Sequence, residues 1–455
     1  VISRFLLAAG VALGPLTLTA HEQPQALAPS PTGLESLDVD TLGMDIPDDE
    51  LEAIVSAIQS ARAISTAAHK LNSPRYGNHY RRDAHAKATG CVRAEFEING
   101  DIPSRFQHSI FSEPGRSYRA WIRFSNGDMQ VQPDGHGDAR GMAIKVMDTG
   151  GAPIAPELPQ GESANQDFIM TNTPAFFNRN IFDYAENMQH LAKMDRSAWF
   201  FSLWPPRLHP KEMWRAYQTV SSTIDTPLAE QYFSMLPYRL GKSAIKFSTR
   251  PCAGSDFTDA RANTQRGDNY LTEQMAQVLD SKSACFDFLL QPRASGAAES
   301  EMPLDDGTAI WKESMSPFIP VARVYIPPQD FASEGQDAFC ENISMNPWRG
   351  VGEWEPLGSL NRARRLVYHA VSDFRHRKND THYQEPENWC IPKPGAPCPG
   401  SQGLNIRKPR WPLPRCFDQH FRPKNGSEVN SQCGGYGMDT RSLDDTTGDA
   451  RATAT

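Results

Sequence analysis

The 455-residue chain lacks most of the short signatures that would announce a chemistry outright. It has no glycine-rich loop ending in Lys-Ser/Thr, no G-x-G-x-x-G entering a helix and no H-E-x-x-H, so nucleotide-driven chemistry and zinc hydrolysis have no support in it. It has no excess of positive charge. The formal total is −8, which argues against a nucleic-acid partner and requires any local basic cluster to find a local counter-charge. It has no internal repeat, and no apolar run long enough to cross a bilayer. The first twenty residues, VISRFLLAAGVALGPLTLTA, set an arginine before an apolar run broken by Pro15. That run is too short for a span and is expected to be an export signal, with a buried N-terminal helix as the alternative.

Cysteine is sparse but even in number, eight in all, and four of them (Cys390, Cys398, Cys416, Cys433) stand in the last seventy residues. No C-x-x-C occurs among those four, which speaks against zinc. Disulfides stapling a loop-rich tail fit an exported protein, periplasmic or secreted, and four unrelated thiols fit a cytoplasmic one.

Four segments follow from the patterning. After residues 1–20, residues 21–70 hold a Pro-rich linker and then DDELEAIVSAIQSARAISTAAHKL, whose helical spacing and leading acids predict a helix docked on the main body. Residues 71–384 form the main domain. Short alternating runs, RAEFEI, RAWIRFS, GMAIKVMD and PVARVYI, predict antiparallel strands. Between them, Phe182 to about Gln291 reads as a helical insert broken by FFSLWPPRLHP. Residues 385–455 are a Cys/Pro-rich extension ending in a polar run. The expected class is α+β, an antiparallel β-barrel with surrounding helices.

SLNRARRLVYHAVSDFRHRKN carries five arginines around one tyrosine. Read as a helix, Arg364, Tyr368 and Arg375 fall on one stripe. A guanidinium one turn from a phenol favours the phenolate, a donor suited to ferric iron, so the stripe can hold an iron porphyrin with Arg375 at a propionate. The competing reading is a solvated helix face. Far upstream, RRDAHAKATGCVRAEFEINGDIP sets His85 before a bend into a strand, where an imidazole can serve as general base on a peroxide; a structural histidine is the plain alternative.

Taken in order, HAKATG with FEINGDIP, RFSN, DARGMAIK, QDFIMTNTPAFFNRN, FFSLWPPRLHP and the R-x-x-x-Y of Arg364–Tyr368 resemble the haem catalase family over roughly Arg75 to Arg377. MNPWRGVGEWEPLGSLNRARRLVY is more similar to its compact, catalase-like peroxidase branch, which includes lipid hydroperoxide enzymes. The resemblance implies haem, of the b type, with Tyr368 as proximal ligand and Arg364 as its phenolate partner. It implies His85 as distal acid-base group with Ser125 beside it, Arg82, Arg123 and Arg375 on the propionates, and Phe176 and Phe177 drying the distal pocket. One position departs: where the family sets a distal asparagine, this chain has Thr171. Either Asn172 fills that catalytic role after a local shift, or the distal side differs.

The implied function is decomposition of hydrogen peroxide to water and dioxygen in response to oxidative stress, with a small-molecule peroxide as partner and a homo-oligomer left open. Two alternatives stand beside it, a peroxidase or rearranging enzyme for organic or lipid hydroperoxides and a haem-binding protein without turnover.

Overall fold

In the long strands alternate residues divide sharply between an apolar interior and an outer face, and that division places everything else. The structure, a computed structural model, describes residues 48–391 apart from 157, 159–163, 205, 256, 258–265, 333–334, 382 and 384. The expected export signal, most of the linker, and Cys398, Cys416 and Cys433 lie outside the described residues.

Twelve described strands are β1 (Ala88–Ile98), β2 (Ser117–Asn126), β3 (Arg140–Val146), β4 (Gln166–Thr171), β5 (Phe201–Leu203), β6 (Pro206–Leu208), β7 (Tyr232–Phe233), β8 (Tyr238–Leu240), β9 (Ser243–Pro251), β10 (Ala284–Pro292), β11 (Ile319–Ile326) and β12 (Trp354–Pro356). The helices are α1 (Asp48–Tyr76), α2 (Ile181–Ala192), α3 (Pro210–Val220), α4 (Tyr270–Leu279), α5 (Gln336–Asn342) and α6 (Ser359–Lys378). Antiparallel pairing runs β10, β11, β1, β2, β3, β4, β7, β9, and β9 pairs back on β10 with Phe247 opposite Leu290. Eight strands thus close a barrel, which leaves no open edge in the ring. β8 and β12 extend from β9.

Inward positions are apolar: Val92, Ala94, Phe96 and Ile98 of β1, Ile122 and Phe124 of β2, Phe168 and Met170 of β4. Their registers agree, Val92 with Ile122 and Ile122 with Ile144. The interior is filled by rings, Phe168 lying 4.7 Å from Phe288 and 5.4 Å from Trp354 between centroids. An eight-stranded barrel is just wide enough for its own side chains, and here they occupy it. A bound molecule of any size must therefore sit on the outer face.

A helical layer covers part of that face. Ile54, Ala57, Ile58, Ala61, Ile64 and Ala68 of α1, at helical spacing, pack with Ile181, Ala185 and Met188 of α2 and with Ala363, Leu366, Val367, Ala370 and Val371 of α6. Fully burying each large aliphatic among them is worth about 1.5–3 kcal/mol. An ion pair from Arg362 to Glu50 (Nε to Oε2, 2.8 Å) ties α6 to the start of α1. The basic helix of the sequence reading is α6, and the docked N-terminal helix is α1.

Two features differ from expectation. The interval Phe182 to Gln291 holds three helices, but also three barrel strands, β7, β9 and β10. The beginning of the Cys/Pro-rich extension is docked: Glu385 is buried against Lys145 (2.6 Å), and the Trp389 indole donates to the Ala120 carbonyl (3.0 Å). Disulfides join Cys91 to Cys340 and Cys252 to Cys285, and Cys390 is also disulfide-bonded. The reading of the tail cysteines missed the two bonds inside the main domain.

Candidate active site

The outward positions of β2 to β4 are Arg123 and Ser125, Gly141 and Ala143, and Ile169, and they form one wall of a cavity. Tyr368, Val371 and Arg375 of α6 form another, and Arg82 to His85, entering β1, close a third.

His85 stands in the left-handed backbone region, φ 58°. That turn is fixed from both sides, since its N–H donates to the Gly127 carbonyl (2.9 Å) and its carbonyl accepts from Arg123 Nη2 (2.9 Å). Its Nδ1 lies 3.0 Å from Ser125 Oγ, which leaves Nε2 for a molecule in the cavity. Gly141 is the floor under the ring. A Cβ there would lie 2.7 Å from Cε1 and Nδ1 of His85 and 2.8 Å from Ser125 Oγ, closer than real contacts allow. Burial, then Arg123 and Arg82, lower the His85 pKa to about 3, so the imidazole is neutral and able to accept a proton at any ordinary pH.

On the helix wall, Arg364 Nη2 donates to the Tyr368 hydroxyl (3.2 Å), as an i, i+4 pair allows. Arg364 is itself held by Asn361 Oδ1 (3.0 Å) and the Tyr238 hydroxyl (3.3 Å). Burial works against its charge, but the Tyr368 and Tyr238 phenols outweigh it and raise the guanidinium above its ordinary value. Arg364 is a permanent cation beneath a cavity-facing phenol.

Arg82, Arg123 and Arg375 all line the cavity, and the structure brings them to one residue, Glu341 of α5, the first two at its carboxylate and the third at its backbone carbonyl. Arg82 Nη1 reaches Oε2 at 3.1 Å, Arg123 Nη2 reaches Oε1 at 3.2 Å, and Arg375 donates to the Glu341 carbonyl. Burial, above all, lowers Arg82 and Arg123 to about 10, still charged near neutral pH. Burial would raise Glu341, but Arg82, Arg123 and Arg375 outweigh it and hold the carboxyl at about 2. Arg123 Nε is buried with no hydrogen-bond partner. A donor left in that condition costs about 1–3 kcal/mol and marks a place for an acceptor from outside the chain.

Asn172, Phe176, Phe177 and Arg364 are not part of the cavity lining. The Phe176 and Phe177 rings pack against each other at 4.4 Å, tilted by 35°, and Phe176 lies 6.0 Å from Tyr184, which does face the cavity. The Asn172 side chain accepts from the Arg140 N–H (2.8 Å) and donates to Glu230 Oε2 (3.3 Å). Thr171, opposite Gly141 in the β3–β4 register, is on the same strand face as the cavity-lining Ile169. The Thr171 hydroxyl meets that of Thr173 (3.1 Å).

Sequence reasoning missed Glu341, Gly141, Tyr184 and Asp83. Asp83 lines the cavity and burial lifts its pKa to about 6, so it is mostly ionised at pH 7 and takes up a proton just below neutrality. Gly141 was visible inside DARGMAIK; the spacing gave no sign that its missing side chain seats His85.

The family model Catalase matches residues 78–348. Peroxisomal catalase of Toxoplasma gondii is 23% identical over 338 residues, covering 68% of this chain and 61% of its own length. Catalase isozyme 1 of Solanum tuberosum is 24% identical over 331 residues, covering 68% and 62%. The chain thus spans about three fifths of the length of these relatives. Among solved structures, catalase A from Saccharomyces cerevisiae has a TM-score of 0.48 at 16% identity, covering 79% of this chain and 77% of that one.

Proposed function

The chain belongs to the catalase family, and on that premise we propose that it is a haem-dependent enzyme that decomposes hydrogen peroxide. One observation carries the reading. A single cavity sets a neutral, serine-anchored His85 on the barrel wall and the Arg364-supported Tyr368 phenol on the helix wall.

The residues present fit a porphyrin with two carboxylates. The donor set is a phenol beside a fixed cation and three arginines that stand together, and of those three Arg123 has its Nε buried without an acceptor. Tyr368 would hold the iron, and Arg82, Arg123 and Arg375 the carboxylates, a task suited to arginine's bidentate fork. The chemistry supplied by haem, once bound, is two-electron exchange with peroxide at iron. The chain supplies the proton movements. His85 Nε2 accepts a proton from one peroxide oxygen and returns it to the other, so that the departing oxygen leaves as water. Ser125 keeps Nδ1 engaged and the ring in one orientation. Arg364 keeps its hydrogen bond to the Tyr368 hydroxyl and a fixed positive charge beside it throughout.

A second reading is retained because of Thr171. The amide of Asn172 is committed to Arg140 and Glu230, and a hydroxyl takes the strand position facing the cavity side. A distal side without that amide suits an organic or lipid hydroperoxide. Dioxygen release from hydrogen peroxide by the haem-loaded protein, set against consumption of a fatty-acid hydroperoxide, separates the two. Hydroperoxide loss with little dioxygen would favour the second.

Export is supported by Cys91–Cys340 and Cys252–Cys285, because disulfides persist in oxidising compartments. A homo-oligomer is supported by α3, whose polar Glu212 and Thr219 turn inward while Met213, Trp214, Tyr217 and Val220 are exposed.

A further inference from the structure

The three cavity arginines carry three positive charges against the carboxylates of Glu341 and Asp83, which leaves the cluster net positive toward an anionic guest. Glu341 is only 25% exposed, and Arg123 5%, so these charges meet in a poorly solvated place where like charges repel strongly. The Glu341 carboxylate is the group in direct contact with both Arg82 and Arg123, and it offsets their repulsion. One edge of each guanidinium is fixed by Glu341, and Arg123 Nε remains for the guest.

Glu341 is placed by a weak element. α5 has seven residues, about two turns, a length that does not sustain a helix by itself. Its attachments to the barrel are Gln336, whose Nε2 donates to the Cys91 carbonyl (2.7 Å), Phe339, whose ring packs 5.0 Å from Trp121, and the bond from Cys340 to Cys91 of β1. The covalent tether is at the residue immediately before Glu341. The Cys340 carbonyl also accepts from Arg82 Nη2 (3.3 Å), so the disulfide half and the clamp share one stretch of backbone.

We propose that the Cys91–Cys340 disulfide holds Glu341 as the positioning residue of the arginine clamp, so that breaking this bond loosens the hold on the cofactor's carboxylates. The step is balanced by an external dithiol: two electrons and two protons convert the disulfide to two thiols while the dithiol is oxidised. The inference rests on the haem reading of the same cavity, and goes beyond it in linking cofactor retention to redox state.

The test is the rate of haem transfer from the loaded full-length protein to excess apomyoglobin, followed in the Soret band. Cys91→Ser with Cys340→Ser, and separately Glu341→Gln, should each speed haem loss about tenfold, the lower end for residues that orient a cofactor's ligands. The two changes combined should do little more than either alone, because they act through one contact. Cys252→Ser with Cys285→Ser, which breaks the disulfide remote from the clamp, should leave the rate unchanged. Equal loss from both disulfide variants, an unaltered rate in the Cys91/Cys340 variant, or slower loss from Glu341→Gln would each overturn the proposal. A wild-type chain that takes up no haem would sink the haem reading itself, and the inference with it.

Discussion

His85 is held by its neighbours rather than by its own strand. Ser125 engages one ring nitrogen, Arg123 takes its carbonyl, and the bare face of Gly141 receives the ring. Gly141→Ala should therefore displace the imidazole without unfolding the barrel. At equal haem loading, dioxygen release measured at an oxygen electrode should fall by about a hundredfold or more, the range for losing a positioned acid-base group. A second consequence concerns pH. The folded His85 pKa, about 3, lies below its ordinary 6.5, so across that window the unfolded chain binds the extra proton and stability falls as pH falls. Relative to His85→Gln, the wild type should lose about 1.4 kcal/mol per pH unit within that window, checked by denaturant titration at several pH values. Tyr368, Arg364 and Arg375 were legible because i, i+4 spacing is local. Glu341 was not, because its partners Arg123 and Arg82 lie 218 and 259 residues away in sequence. Arg362, Arg365 and Arg377 proved structural, pairing with Glu50, covering the Trp348 ring and pairing with Asp373.

Among the elements, β1, β2, β3 and β11 could be read from alternation, and α1 and α6 from helical spacing. β9 and β10 were not read. In β10 the run Phe288-Leu289-Leu290 is apolar on both faces and the two-residue period is lost, whereas β9 keeps an Ile245-Lys246-Phe247-Ser248 alternation that lies inside the expected helical insert. β7, β8 and β12 are two or three residues long, too short for any periodic signal. α3 breaks the rule in another way, with its apolar stripe outward. The neighbouring β5–β6 hairpin does the same, Trp204 being 89% exposed and Leu203 81%. If a second copy covers this face, Trp204→Ser with Trp214→Ser should convert an oligomer to monomer in sedimentation velocity while peroxide turnover in solution is retained. A wild-type monomer would contradict the homo-oligomer.

For the whole molecule, the barrel's filled interior forces the site outward, and α6 with the segment Arg82 to His85 then forms its other walls. That arrangement explains why a chain of net charge −8 keeps a knot of arginines: each has a carboxylate, a ring or a cavity to meet, and none requires a polyanionic partner. The family was legible because its motifs are contiguous strings. The disulfides were not, since the bond between Cys91 and Cys340 spans 249 residues. The account as a whole rests on dioxygen release from hydrogen peroxide by the haem-loaded wild type, with His85→Ala loaded to the same Soret absorbance beside it. Release far above that of free haem, reduced about a hundredfold or more in His85→Ala, is the expected result; release no greater than free haem, or equal in both proteins, would contradict it.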